Sequence, residues 1–200
     1  MDIKTKPEHK LVPFFDIETE RLLLRRFTQN DAQEMFDTWC ADPDVTRYMM
    51  WTPHPDINET HTVIERWEKR YETAASELGE RNYAIVVKQT NKLIGSIGIM
   101  PKERNAGVEL GYCIGKSYWG YGYVTEAAQA LTAFAFESMD AQKVVAFHHT
   151  DNPASGRIMQ KCGMTYEGVL RREFFAPAHG MCDAVCYSIL REEYFSRKGG

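Results

Sequence analysis

The chain has 200 residues, 44% hydrophobic and 26% charged, enough for one domain with a single core and a cleft beside it. Ten Phe, ten Tyr and four Trp exclude a disordered chain, and a net charge of -4 argues against sequence-independent nucleic-acid binding, which rests on a basic face. No apolar run approaches the roughly 20 residues that span a bilayer, and MDIKTKPEHK lacks the apolar core of a signal peptide, so a cytoplasmic protein without membrane contact is expected. The five cysteines show no C-x-x-C spacing and imply reduced thiols, with neither a zinc site nor a disulfide framework. Cys182 and Cys186 lie an even number apart in a strand-like run and share a face, but a reducing compartment argues against a disulfide between them.

Residues 1–15 read as a polar lead, 16–195 as the domain and 196–200 as a tail. Residues 19–27 (TERLLLRRF) predict a first strand with Leu22 and Leu24 on one face and Leu23 on the other. Thr28 and Asp31 offer N-cap chemistry before a helix carrying Met35, Phe36 and Trp39 at helical spacing. Three prolines make DPDVTRYMMWTPHP largely loop, and Asn58 to Leu78 reads as a longer amphipathic helix. NYAIVVK, a turn at residues 89–92 and LIGSIGIM predict a hairpin, followed by a strand GVELGYCI in which Glu109, Gly111 and Cys113 alternate with Val108, Leu110, Tyr112 and Ile114. A glycine-rich loop then opens a helix, KVVAFHHT is a strand, NPASGRIMQKCG a short helix ending at Gly163, and two strands near 164–169 and 184–189 close the chain. The predicted order is β-α-α-β-β-β-α-β-α-β-β.

The strongest chemical signal is Trp119, Gly120, Tyr121, Gly122, Tyr123, Val124, Thr125 and Glu126, placed between a strand and a helix. Backbone N–H groups at a helix start are unpaired, and glycines there let a phosphate approach them at the positive end of the dipole. The spacing is not the G-x-G-x-x-G dinucleotide fingerprint, and the Lys-Ser/Thr of a nucleotide-triphosphate loop is missing. On its own the pair of glycines also fits a tight turn.

The glycine loop follows an apolar strand bearing Glu109 and precedes a strand ending in DNPAS. Together with TERLLLRRF, VTRYMMWTPHP, LIGSIGI, VELGYCI, DNPASGRIMQKCGMTYEGVLR and CDAVCYSILREE, it resembles the GNAT acetyltransferase superfamily, in its ribosomal-protein N-terminal acetyltransferase branch, over Ile17 to Tyr194. The superfamily loop is written Q/R-x-x-G-x-G/A, and here Trp119 and Val124 stand at its first and last positions. The resemblance implies an α+β fold, a single mixed, mostly antiparallel sheet splayed between the Glu109 strand and the Lys143 to His149 strand, with helices on both faces. It implies acetyl-CoA as co-substrate and no metal, with the pantetheine arm in the splay. Main-chain contacts would come from Tyr112, Cys113 and Ile114, phosphate contacts from Tyr121 through Thr125, and side-chain contacts from Asn152 and Ser155.

Acetyl transfer needs a neutral amine, an oxyanion donor and a proton for the leaving thiolate. Glu109 is the candidate base if burial desolvates it; otherwise it is an ion-paired strand residue. Many superfamily members carry a Tyr acid seven residues beyond the Asn, where this chain has Met159. In this branch Ser155 is the alternative acid, although its hydroxyl could equally satisfy a helix start. A backbone N–H near Ile114 would serve the oxyanion. Tyr48 and Trp51 resemble the acceptor-side loop, with core packing an equal reading for Trp51. His54 reads as a solvated loop histidine, and His148 and His149 face opposite ways and so share no metal. Glu173 and Asp183 are candidates to hold an incoming ammonium.

The resemblance points to a protein N-terminal amine as acceptor, and its reference pKa of about 7.7–8.0 against about 10.4 for lysine demands less base assistance. A small-molecule amine acceptor, a non-catalytic acyl-CoA sensor and a nucleotide-binding protein are the competing readings. The C-terminal strand pair could add to a partner's sheet edge, giving a homodimer.

Overall fold

The computed structural model describes residues 12–73, 80–102 and 106–199. Eight strands form one sheet: β1 (Ile17–Glu18), β2 (Leu22–Arg25), β3 (Arg81–Val87), β4 (Lys92–Lys102), β5 (Gly107–Ile114), β6 (Lys143–His149), β7 (Thr165–Ala176) and β8 (Gly180–Leu190). Their spatial order is β1-β2-β3-β4-β5-β6-β8-β7. All neighbours run antiparallel except β5 and β6, which are parallel because the chain crosses over through a helix between them.

The helices are α1 (residues 29–40), α2 (Pro43–Thr46), α3 (Ile57–Thr73), α4 (Tyr123–Glu137), α5 (Pro153–Lys161) and α6 (Arg191–Lys198). Two cores follow from strand alternation. On one face Leu22, Leu24, Ile97, Val108 and Leu110 pack with Ala127, Leu131 and Phe134 of α4. On the other, Leu23, Val86, Leu93 and Cys113 meet Met35 and Trp39 of α1 and Ile64 of α3. Leu22 and Leu24 therefore do part from Leu23, as their alternation predicts.

The first strand is shorter than predicted, four residues preceded by the two-residue β1, because the chain turns at residues 19–21. The second predicted helix starts one residue early; its expected end at residues 74–78 lies outside the described residues. The closing strands are longer than expected, and α6 is an addition. This helix is mostly polar, with Tyr194 stacked on Phe136, and a capping contact starts it: the Leu190 N–H donates to Glu193 Oε2 at 2.9 Å.

Thr28 and Asp31 act together at the start of α1. The Thr28 N–H donates to Asp31 Oδ2 at 2.8 Å, and the Asp31 N–H donates to Thr28 O at 2.9 Å. The same carboxylate takes a two-pronged contact from Arg25 of β2, at 2.7 and 2.8 Å. Helix α1 begins with a 3-10 turn (Gln29–Asp31), continues as α-helix (Ala32–Met35) and widens into a π-helical turn (Phe36–Cys40), which buries both Trp39 and Cys40.

Burial alone would raise the Asp31 carboxyl, but hydrogen bonds from Arg25 and Thr28 outweigh it and hold it below the usual carboxylate range. A depressed folded-state value contributes stability above the unfolded value that disappears as pH falls through the folded one. Replacing Asp31 with Ala should therefore cost roughly 3 kcal/mol at pH 7, and urea denaturation should find the gap to the parent protein closing in acid.

Candidate active site

Strands β5 and β6 pair only over Gly107–Lys143, Val108–Val144 and Glu109–Val145. Beyond Glu109 they part, β5 staying with β4 as far as Ile114 and β6 with β8 as far as His149. Their facing edges carry main-chain donors and acceptors that a peptide-like ligand could satisfy. A cleft of about 400 Å³ opens at this gap. Tyr112, Cys113 and Ile114 line it from β5, and Tyr48, Met49 and Asp44 from the α2 side. Trp119, Gly120, Gly122, Tyr123, Val124 and Thr125 form its floor at α4, with Asn152, Ser155, Arg157 and Lys161 on α5 opposite. Tyr121 is the one predicted loop residue that leaves the cleft; its ring is exposed and stacks on Tyr123.

The glycine loop is a conformational requirement. Gly120 and Gly122 have φ of 85° and 81°, and Gly122 caps α4 from this left-handed conformation. The first helical hydrogen bond runs from the Glu126 N–H to Gly122 O at 3.1 Å, so the N–H groups of Tyr123, Val124 and Thr125 precede the helical ladder. Glu126, which carried no role in the sequence reading, anchors this end. Its Oε1 accepts from Thr19 Oγ1 (2.6 Å) and the Arg21 N–H (2.8 Å), and its Oε2 from Arg21 Nε (2.6 Å). Arg21 also donates to Tyr121 O at 3.0 Å and stacks on the Tyr123 ring. Burial raises the Glu126 carboxyl, yet the Thr19 and Arg21 hydrogen bonds bring it below its ordinary value.

Trp119, half exposed, donates its indole N–H to Ile114 O at 3.0 Å. It thereby occupies one carbonyl expected to face the coenzyme arm. Cys113 is buried, and burial pushes its thiol up to about 12, so it has no thiolate character to offer near neutrality.

On α5 the Asn152 side chain accepts from the Ser155 N–H at 3.4 Å, with Pro153 opening the helix. Ser155 Oγ stands 2.8 Å from the Tyr112 hydroxyl. Met159 is only 1% exposed and belongs to the core, so this position offers no hydroxyl.

Glu109 is the last residue of β5 paired with β6, at the closed end of the gap and outside the cleft lining. Its side chain is 17% exposed and ion-paired with Lys102, so burial and an ion pair, the two readings its sequence left open, occur together. Tyr48 lines the cleft and packs against His149 (5.0 Å between ring centres) and His179 (5.5 Å). Trp51 does not line it; its ring lies against His54 and the α1–α3 core. His54 is half-buried rather than solvated, its Nδ1 2.8 Å from Thr60 Oγ1, and burial lowers its pKa. Asp183 accepts from the Arg172 N–H at 2.9 Å, stabilising an irregular turn within β7 where Arg172 has φ 52°, and so is committed to the hairpin. Glu173 is exposed. His148 stacks on Tyr187 and His149 packs by Tyr48, on opposite faces as alternation requires.

A family model described as "Acetyltransferase (GNAT) domain" matches residues 21–165, spanning the gap, the glycine loop and α5. The chain belongs to the GNAT acetyltransferase family. The p20 protein of Bacillus licheniformis, named an uncharacterized N-acetyltransferase, is 32% identical over 88% of this chain and 96% of its own. YdaF of Bacillus subtilis, provisionally named a ribosomal N-acetyltransferase, is 24% identical over 90% of this chain and 96% of its own. The crystal structure of a GNAT acetyltransferase from Bacillus anthracis superposes with a TM-score of 0.77 at 26% identity, covering 90% of this chain and 100% of that one.

This GNAT protein is thus an acetyl-CoA-dependent N-acetyltransferase. The residues at hand fit acetyl-CoA: unpaired strand edges suit its amide-bearing arm, and the α4 start suits its pyrophosphate. Two cations the sequence reading passed over, Arg157 and Lys161, face the cleft one helical turn apart, an i, i+4 spacing that would have revealed them. Among the described residues no group of three or more His, Cys, Asp or Glu side chains could hold a metal ion, and no helix is long and apolar enough to cross a membrane.

A Cβ at Gly120 would meet nothing within 4 Å, so its conformation alone forbids a side chain. Gly120→Ala should cost about 1–2 kcal/mol in denaturation, and calorimetric titration should find weaker acetyl-CoA binding. Unchanged affinity would separate the loop from the phosphate site.

Proposed function

We propose that this acetyltransferase acts on the N-terminal α-amine of a protein, with cytoplasmic ribosomal proteins as the acceptor class. The observation that carries this reading is the charge of the cleft. Asp44 is the one carboxylate among its described lining residues, and it is ion-paired with Lys116. A polyamine or aminoglycoside would need several free carboxylates to replace the water around its cations. An α-amine is about half neutral at its pKa of about 7.7–8.0, a far larger neutral fraction than lysine has near neutrality, and needs only one base. The provisional name of YdaF supports the same acceptor class.

In this reading Glu109 takes the proton that the amine loses as its nitrogen bonds to the acetyl carbon, directly or through a water. Lys102, its ion-pair partner, must yield to the arriving amine. Main-chain N–H groups near Ile114 stabilise the oxyanion, and Ser155 serves the departing sulfur. Tyr48 walls the acceptor side, while Tyr121 and Trp51, outside the cleft, contribute through loop and core packing.

Purified protein should acetylate peptides at the α-amine alone, followed by thiol release and product mass against polyamine and aminoglycoside controls. Glu109→Gln and Ser155→Ala should each lower kcat by roughly 100-fold. Turnover confined to the small amines would replace this acceptor class.

A further inference from the structure

Tyr112 was expected to contribute only its main chain, yet its side chain crosses the gap. From β5 its hydroxyl reaches the first turn of α5, 2.8 Å from Ser155 Oγ and 3.0 Å from Ser155 O. Both Tyr112 and Ser155 line the cleft. The contact ties β5 to α5 beyond Glu109, where main-chain pairing between β5 and β6 has stopped.

The phenol has one proton and two acceptors within reach. If it donates to Ser155 O, the serine hydroxyl turns its own proton toward the phenolic oxygen. If it donates to Ser155 Oγ, the serine proton is released for a third group in the cleft. A negative charge developing there favours the second arrangement, because each hydroxyl in the chain then donates toward it. Burial raises the Tyr112 pKa well above that of a free phenol, so it stays protonated and remains a donor.

We propose that Tyr112 is a positioning residue for acetyl transfer, its hydroxyl holding Ser155 so that the serine O–H donates to the coenzyme sulfur as the thiolate leaves. This rests on Ser155 serving the sulfur, as proposed above. The C–N bond forms as the C–S bond breaks, and the sulfur takes the bonding electron pair. The proton the acceptor nitrogen gives up passes to Glu109 and then to solvent, and the thiolate, held by the Ser155 hydrogen bond, takes its proton from solvent on release. Ser155 and Tyr112 finish in the protonation states in which they began. The arrangement replaces, from β5, the hydroxyl that Met159 does not supply from α5.

The test is a pH titration of the thiol of coenzyme A bound to the intact protein, read by thiolate ultraviolet absorbance with the desulfo-coenzyme complex subtracted. It needs no acceptor. In the parent protein the bound thiol should ionise below the pH at which it does so free in solution. Tyr112→Phe, which keeps the ring, and Ser155→Ala should each reduce its acid dissociation constant roughly tenfold, the size of one hydrogen bond to a charged group. The double variant should match Ser155→Ala. Substituting 3-fluorotyrosine at position 112, a stronger donor of nearly equal size, should acidify the thiol further. A shift with Ser155→Ala but none with either Tyr112 replacement overturns the role of Tyr112 and leaves that of Ser155. No shift in any variant that still binds the coenzyme overturns the Ser155 reading and this proposal with it. Loss of melting temperature and coenzyme affinity without movement of the titration reduces the contact to a staple between β5 and α5.

Discussion

The parallel pairing of β5 and β6 stops at Glu109 and Val145, and the working parts of this protein are arranged around that stop. Beyond that stop β5 stays with β4 and β6 with β8 while the two diverge, so their inner edges do not pair with each other. In water such an edge is an aggregation risk. Here it lines a cleft with residues of α4 and α5, a setting that suits a ligand carrying amides of its own.

The helices that flank the gap are aimed by different devices. Helix α4 starts from two left-handed glycines, and its first turn is fixed from outside by Glu126, Thr19 and Arg21. Helix α5 starts from Asn152 and Pro153 and is tied across the gap by Tyr112. The first device leaves three N–H groups outside the helical ladder; the second brings a hydroxyl pair to the cleft. In the proposed reading, phosphate binding and leaving-group chemistry would sit on separate helices, joined by the arm of one coenzyme.

The side of the cleft proposed to receive the acceptor is built from the opposite face of the sheet. The π-helical end of α1 brings Thr38 against β5, where a Cβ at Gly115 would fall 2.5 Å from Thr38 Cγ2. The α2–α3 loop then carries Tyr48 over the cleft to meet His149 of β6 and His179 of the β7–β8 turn. Burial lowers the His149 pKa against the pull of Asp151, and its Nδ1 accepts the Asp151 N–H at 3.0 Å, a contact open only to an unprotonated nitrogen. The aromatic roof is therefore uncharged near neutrality on its β6 side, which suits a neutral amine better than a polycation.

The sequence determined the family, the α+β class, the strand alternation that separates Leu23 from Leu22 and Leu24, and the glycine loop. Each of these is local: a period, a cap or a left-handed turn is written in neighbouring residues. Tertiary structure decided the rest. Pairing across 105 residues commits Glu126 to Arg21, and a reach of 43 residues turns Tyr112 from a backbone contact into the partner of Ser155. Lys102 against Glu109 and Arg172 against Asp183 likewise settle what those carboxylates face. The segment DPDVTRYMMWTPHP gave no hint that Trp51 would turn inward while Tyr48 lined the cleft, because a loop has no period to sort its side chains. A side chain's partner depends on which distant strand lies beside it, and only the closed sheet fixes that.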